Sequence, residues 1–229
     1  MRELSLFTGA GGGLYASLLL GWEPVCAVEK DPYRRKVLEQ RQRDGIFPRF
    51  PIFEDVRSFD GVAWRGKVDV VSGGFPCQPF STAPHGRWKA VNLWAEMFRV
   101  VRETSSRFVF AENVQRAPIK QAANDLAWLG YMVRCCRMPA SFVGAPHRRE
   151  RYWLLADADG FPESREPLDA EVAGIPAPCP SEWWQDFSSE VLGMDDGVAG
   201  RSERLQALGD GQVPLVAASA FRLLESRIG

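Results

Sequence analysis

The chain has 229 residues, 45% of them hydrophobic and 25% charged, with 28 basic side chains against 29 acidic ones; this excludes a disordered polyelectrolyte and leaves enough chain for one sizeable core. No apolar run reaches the roughly 18 residues of a membrane-spanning helix and no leader pattern opens the chain, so a cytoplasmic protein without a membrane partner is expected. Five cysteines without CxxC spacing and two histidines argue against a disulfide framework and leave little for a metal site.

In chain order, residues 4–7 read as a strand, 8–13 as a glycine-rich turn and 14–20 as a helix. A second strand at 24–28 ends at Glu29. Asp31 and Pro32 then cap and open a helix to about Arg43, where proline's missing N–H costs little. Residues 68–71 form a strand that flows into Ser72-Gly73-Gly74-Phe75-Pro76-Cys77. Helical spacing returns at 93–101, a buried-looking strand at 108–111 ends at Glu112-Asn113, and 120–129 is again helical. Strands at 131–136 and 152–156 follow. Repeated strand-helix units predict an α/β domain, a mainly parallel twisted sheet with helices on both faces and ligands at the carboxyl ends of its strands.

The texture changes at Ala156. From there to Asp196 the chain runs through Pro162, Pro167, Pro176, Pro178 and Pro180 without a sustained period, which reads as looped polypeptide. The charge changes with it: residues 1–151 carry 23 Lys and Arg against 15 Asp and Glu, whereas 152–229 carry 5 against 14. A catalytic and cofactor-binding region over 1–155, a distinct segment over 156–196 and a returning segment over 197–229 are expected, with a final helix at 214–224 beside the first strand-helix unit.

Every chemically suggestive residue lies at a predicted strand end. Glycines at 9, 11, 12 and 13 let a backbone approach a ligand, and Glu29, 18 residues after Gly11, stands where an acid accepts hydrogen bonds from ribose hydroxyls. Leu14 occupies the place of the third glycine in GxGxxG, so a nucleoside-bearing cofactor fits better than a dinucleotide; a tight turn without a ligand is the alternative. Cys77, between Pro76 and the Gln78-Pro79 step, is placed for exposure just past a strand and attacks best as the thiolate. Cys26, Cys135 and Cys136 read instead as packed core residues, and Cys179 has no evident role.

These residues resemble the DNA cytosine-5 methyltransferases in their compact bacterial or phage form. Phe7-Thr8-Gly9-Ala10-Gly11-Gly12 matches that family's cofactor motif, Pro76-Cys77-Gln78 its nucleophile motif and Glu112-Asn113-Val114 its Glu-Asn-Val motif. His147-Arg148-Arg149-Glu150-Arg151 corresponds to its Gln-x-Arg-x-Arg motif, and residues 209–214 to its closing motif. The resemblance implies an S-adenosylmethionine-dependent, Rossmann-like methyltransferase fold. It implies Cys77 as nucleophile at carbon 6 of cytosine, Glu112 as the proton carrier at ring nitrogen 3, and Asn113 as an orienting group. Arg149 and Arg151, on alternate residues leading into a strand, are expected on one side of the backbone as fixed positive charge, with Arg148 and Glu150 facing elsewhere.

By the same resemblance S-adenosylmethionine lies over the glycine turn, with Phe7 by the adenine, Glu29 on the ribose and Asp55 accepting from the adenine amino group. Asn92 and Leu93 line its methionine end. Asp55 as a plain turn residue is the alternative. Double-stranded DNA is the implied partner, its cytosine flipped out of the stack, with Gln78, Ser81, His85, Arg87, Lys89 and Arg148 as candidate contacts. Trp88 reads as a wedge or as packing against the sheet. A monomer is expected, and a cognate restriction endonuclease is an open partner. A tRNA methyltransferase and a non-catalytic DNA-binding relative are the competing readings.

Two departures stand out. His147 replaces the usual Gln and puts a titratable ring near the arginines. Asp210 replaces the usual Asn in the closing motif, where a carboxylate either weakens binding of the cofactor's own carboxylate end or points to solvent. Residues 156–196, where relatives carry their target-recognition region, include eleven acids and one base, Arg165; Trp183-Trp184 there reads as a hydrophobic plug or as a DNA contact.

Overall fold

The computed structural model describes residues 1–76, 92–160 and 209–226. In chain order these contain β1 (Arg2–Leu6), α1 (Gly12–Leu19), β2 (Glu23–Val28), α2 (Pro32–Arg43), β3 (Ile52–Phe53), β4 (Val70–Gly74) and α3 (Trp94–Thr104). Then come β5 (Phe108–Asn113), α4 (Arg116–Trp128), β6 (Met132–Met138), β7 (Arg151–Asp157) and α5 (Pro214–Ser226). The strands form one sheet in the order β3-β2-β1-β4-β5-β7-β6. Pairings from β3 through β5 are parallel. β7 runs antiparallel to both of its neighbours, β5 and β6.

Side chains alternate across the sheet and build, among the described residues, two large cores and a smaller cluster of Leu14, Ala27, Leu38, Phe47 and Phe50. Leu4 and Leu6 of β1, Val71 of β4 and Val109 of β5 pack against Met97 and Val100 of α3 and Ile119 and Leu126 of α4. On the opposite face Val70, Phe110, Trp153 and Leu155 meet Val216, Phe221 and Leu224 of α5, with Ala16 of α1. Trp153 stacks on Phe110 at 5.3 Å between centroids, and Phe221 meets Phe110 edge-on at 5.5 Å. Each such side chain contributes about 2 kcal/mol by leaving water. The last helix thus lies beside α1, as expected, and Arg222 donates to the carbonyl of Leu19.

The helix boundaries follow local chemistry. Asp31 Oδ1 accepts from the backbone N–H groups of Tyr33 and Arg34, with Pro32 in the first turn of α2, the arrangement expected from sequence. β7 runs one residue further at each end than the strand read at 152–156, and at its last residue, Asp157, Arg107 grips the carboxylate at 3.0 and 3.2 Å. β3 was not anticipated, because its two residues are too short for any periodicity to register.

The chain winds outward from β1 to β2 and β3, then crosses to β4 and β5 on the other side of β1. The carboxyl ends of β1 and β4 therefore border a crevice at the point where the winding reverses. β7 points the other way, so the chain leaves it at the amino ends of the parallel strands. Among the described residues no helix is long and apolar enough to cross a membrane.

Candidate active site

A cavity of about 420 Å³ occupies that crevice. Its wall includes Phe7, Thr8 and Gly9 after β1, Glu29 after β2, Pro76 after β4, Glu112 and Asn113 at the end of β5, Arg151 at the start of β7, and residues 209–212. A second cavity of about 240 Å³ shares Phe7, Lys30 and Leu93 with the first and adds Asp55. The expected cofactor residues Phe7, Thr8, Gly9, Glu29, Pro76, Leu93 and Asp210 thus face one space, with Asp55 in the adjoining one.

Glu29 is buried with both oxygens engaged. Oε2 accepts from the Gly9 N–H at 2.6 Å and Oε1 from the Asp31 N–H at 2.8 Å. It therefore holds the first turn in shape, and the lone pairs left over are those that can meet a ligand hydroxyl. Phe7 adopts a left-handed backbone with φ 52°, a conformation that costs a non-glycine residue energy and gathers at ligand sites. Asp55 accepts from the Arg57 N–H at 3.0 Å, and that bond, with Lys30 and Arg57 nearby, keeps its carboxyl below the usual range. It is a turn residue and a cavity residue at once.

Ala10, Gly11, Gly12 and Asn92 line neither cavity. The Ala10 carbonyl accepts from Arg41, which also lies over the Tyr15 ring. Gly12 is required for a reason other than ligand approach: a Cβ there would fall on the carbonyl oxygen of Gln212. Asn92 accepts from the Trp94 N–H at 3.0 Å and so opens α3.

At the other end of the cavity Glu112 is buried, 7% exposed. Arg151 Nε lies 2.9 Å from its Oε1, near enough for charge attraction but not aligned as a hydrogen bond. Burial pushes the Glu112 carboxyl up to about 7, against the downward pull of Arg151, Arg149 and a hydrogen bond from the Gln212 side chain. Asn113 Nδ2 donates to the Phe75 carbonyl at 2.8 Å, and the Leu93 N–H donates to the Pro76 carbonyl at 3.2 Å. The backbone leading to residue 77 is held from two sides.

The two arginines do not act alike. Arg149 has a left-handed φ of 34°, so the extended alternation expected before β7 does not apply there. Its Nη2 donates to the carbonyls of Gly209 at 2.7 Å and Gly211 at 2.6 Å, and the side chain does not line the cavity. Burial and the like charge of Arg151 lower its pKa from the usual arginine value. Arg149 is thus a brace for the returning chain, and Arg151 is the cation at the Glu112 end of the cavity. Arg148 and Glu150 do pair away from it at 3.5 Å, and His147 is exposed.

Asp210 lines the cavity and is half exposed, with an ion-pair partner that the sequence did not indicate. Its carboxylate is paired with Arg34 Nη2 at 2.5 Å across the cavity mouth. Arg34, Lys30, Ser72 and Gln212 line the cavity and were missed by sequence reasoning. Gln212 alone carried a signal, since it lies within the closing motif. Cys26 is buried on β2, where burial pushes its thiol up to about 12, in keeping with a packing role. Cys77, Gln78, Ser81, His85, Arg87, Trp88 and Lys89 lie outside the described residues, as do Cys179, Trp183 and Trp184.

The model of the C-5 cytosine-specific DNA methylase family matches residues 1–176. A type II methyltransferase of Psychrobacter sp., M.PspPI, is 32% identical over 166 residues, covering 66% of this chain and 38% of its own. The chain spans about a third to a half of the length of the curated relatives it matches. Among solved structures, a putative DNA modification methyltransferase of an Escherichia coli prophage superposes with a TM-score of 0.54 at 26% identity, over 69% of this chain and 46% of that one. The Entamoeba histolytica methyltransferase EhMeth shares the fold alone, with a TM-score of 0.65 at 13% identity over 100% of this chain and 99% of that one. With the switch-point cavity, the Glu112-Asn113 strand end and a match over most of its length, the chain belongs to the C-5 cytosine-specific DNA methylase family.

Proposed function

We propose that the protein transfers a methyl group to carbon 5 of cytosine in double-stranded DNA, using S-adenosylmethionine. The observation that carries this reading is Glu112, a carboxyl that burial pushes up to about 7, facing Arg151 in a cavity at the sheet's switch point. The cavity suits the cofactor. Phe7 and Leu93 offer an apolar surface to a ring, Glu29 and Asp55 offer acceptors to hydroxyl and amino groups, and the volume is that of a small-molecule site. When bound, S-adenosylmethionine supplies an electrophilic methyl group.

The chain's own residues then account for the rest. Carbon 5 of cytosine is a weak nucleophile, so the Cys77 thiolate adds at carbon 6 and forms a carbon–sulfur bond. Glu112 donates its proton to ring nitrogen 3 as negative charge develops, a role that needs an acid protonated near neutral pH. Arg151 holds positive charge beside the same carboxyl, and Asn113 fixes the turn before Cys77. After carbon 5 is methylated, a base removes its proton, the Cys77 sulfur leaves as thiolate, and ring nitrogen 3 returns its proton to Glu112. The target base must be unstacked to reach this floor, at a cost of a few kcal/mol.

Labelled methyl transfer to duplex DNA tests the reading, with tRNA as the second substrate. Label in DNA, and a covalent adduct on 5-fluorocytosine DNA that Cys77→Ser abolishes, is the expected result. Label in tRNA alone, or an adduct that survives Cys77→Ser, overturns it.

A further inference from the structure

The least explained contacts around Glu112 come from the chain that returns at residues 209–212. This short strap is fastened in three places. Arg149 donates to the carbonyls of Gly209 and Gly211, Arg34 pairs with Asp210, and Gln212 inserts between the glycine turn and β4. A Cβ on Gly12 would strike the Gln212 carbonyl, one on Gly13 would lie 2.7 Å from its Oε1, and one on Gly74 would lie 2.6 Å from Glu112 Oε2 and 3.2 Å from Gln212 Nε2. Three side-chain-free positions thus clear the space in which the Gln212 amide meets the carboxyl.

We propose that Gln212 is a positioning residue for Glu112: its side-chain amide, seated between the glycine turn and β4, donates to the carboxylate and sets its orientation and proton affinity. The inference rests on the reading of Glu112 as proton carrier and adds a residue to that site. Glu112 Oε1 already faces Arg151 and has no aligned hydrogen bond, so the amide of Gln212 is the directional contact that fixes the carboxyl plane. Among the described residues the charged groups that act on Glu112 are Arg151 from β7 and Arg149 from the loop before it, β4 presents Gly74 to it, and the strap contributes the neutral Gln212 amide. A donor to the ionised form opposes protonation. Without Gln212 the burial effect goes less opposed, and Glu112 holds its proton to higher pH.

The test reads Glu112 directly and needs neither cofactor nor DNA. The full chain is labelled with 13Cδ-glutamate, Glu112→Gln assigns the resonance, and the titration midpoint is followed by NMR. Gln212→Met keeps the side chain's length without its donor and should raise the midpoint by about one unit; Gln212→Glu, which sets a second carboxyl beside the first, should raise it further. In the unaltered protein the Gln212 side-chain amide signal should titrate with the same midpoint as Glu112. An unmoved midpoint in both variants, or an amide signal indifferent to the Glu112 titration, overturns the proposal, and the second measurement stands even if a variant fails to fold. Absence of methyl transfer by the native chain would instead defeat the catalytic reading and leave the Gln212–Glu112 result intact.

Discussion

Glu3 and Glu112 occupy opposite ends of the same sheet, and burial brings both carboxyls up to about 7. Glu3, near the amino end of β1, is met by the hydroxyls of Ser72 and Ser17, and its Oε2 is buried without a partner. Glu112, at the carboxyl end of β5, is met by two guanidinium groups and an amide and opens on the cavity. The same upward direction therefore arises in unlike surroundings: burial is opposed by neutral hydroxyl donors at one end, and by two guanidinium groups and an amide at the other. A perturbed carboxyl is a candidate catalyst only where substrate can reach it, and Glu3 does not line the cavity.

The largest expected contrast is in rate. Glu112→Gln should lower initial methyl transfer to DNA by roughly 1000-fold, the range of a lost general acid, whereas Glu3→Gln should leave it within about threefold. Equal losses would erase the distinction between the two ends. Arg151→Met comes next. It removes the nearest cation, should raise the Glu112 midpoint above 7, and should slow transfer roughly 100-fold at pH 7.5.

The third contrast is in stability. Both glutamates titrate higher folded than unfolded, from the ordinary 4.5 to about 7. Their stabilising share is full below about pH 4.5 and is lost as pH rises through 7, where the folded state must either ionise a buried carboxyl or hold a proton the unfolded state releases. Glu3→Gln should thus stabilise the protein at pH 8 by on the order of 3 kcal/mol and change little at pH 4, read from urea midpoints at the two pH values. The smallest effect belongs to the cavity mouth. Asp210→Asn should cost about 0.5 kcal/mol or less, and half a molar salt should remove the difference, because Asp210 is half exposed.

What could be read from sequence follows a physical divide. Apolar runs ended by glycine or acid reveal strands from periodicity, which is why β1, β2, β4 and β5 were legible with the site residues at their ends. Strand direction was not, since the residues of β7 are as apolar as those of a parallel neighbour and only pairing reveals the reversal. Glu112 was identified by its motif, but its proton affinity depends on a desolvation that no local stretch encodes. The strap was the least legible part. Arg34 meets Asp210 across 176 positions of chain, and Gln212 acts through glycines two hundred residues earlier. Alternation does not extend to Arg149, because it assumes extended backbone and φ there is positive.

The reversal of β7 has an engineering consequence. Asp157 is paired with Phe108 and Met132, at the pole of the sheet away from the cavity, whereas Gly209 stands at the cavity itself. The intervening chain leaves at one pole and is received at the other, about 20 Å apart by the length of a six-residue strand. A transplanted segment with adjacent ends, such as a hairpin or a closed loop, could not be grafted between those anchors. Any replacement must reach, with at least about six or seven extended residues beyond its own folded span, before the strap can regain its three fastenings.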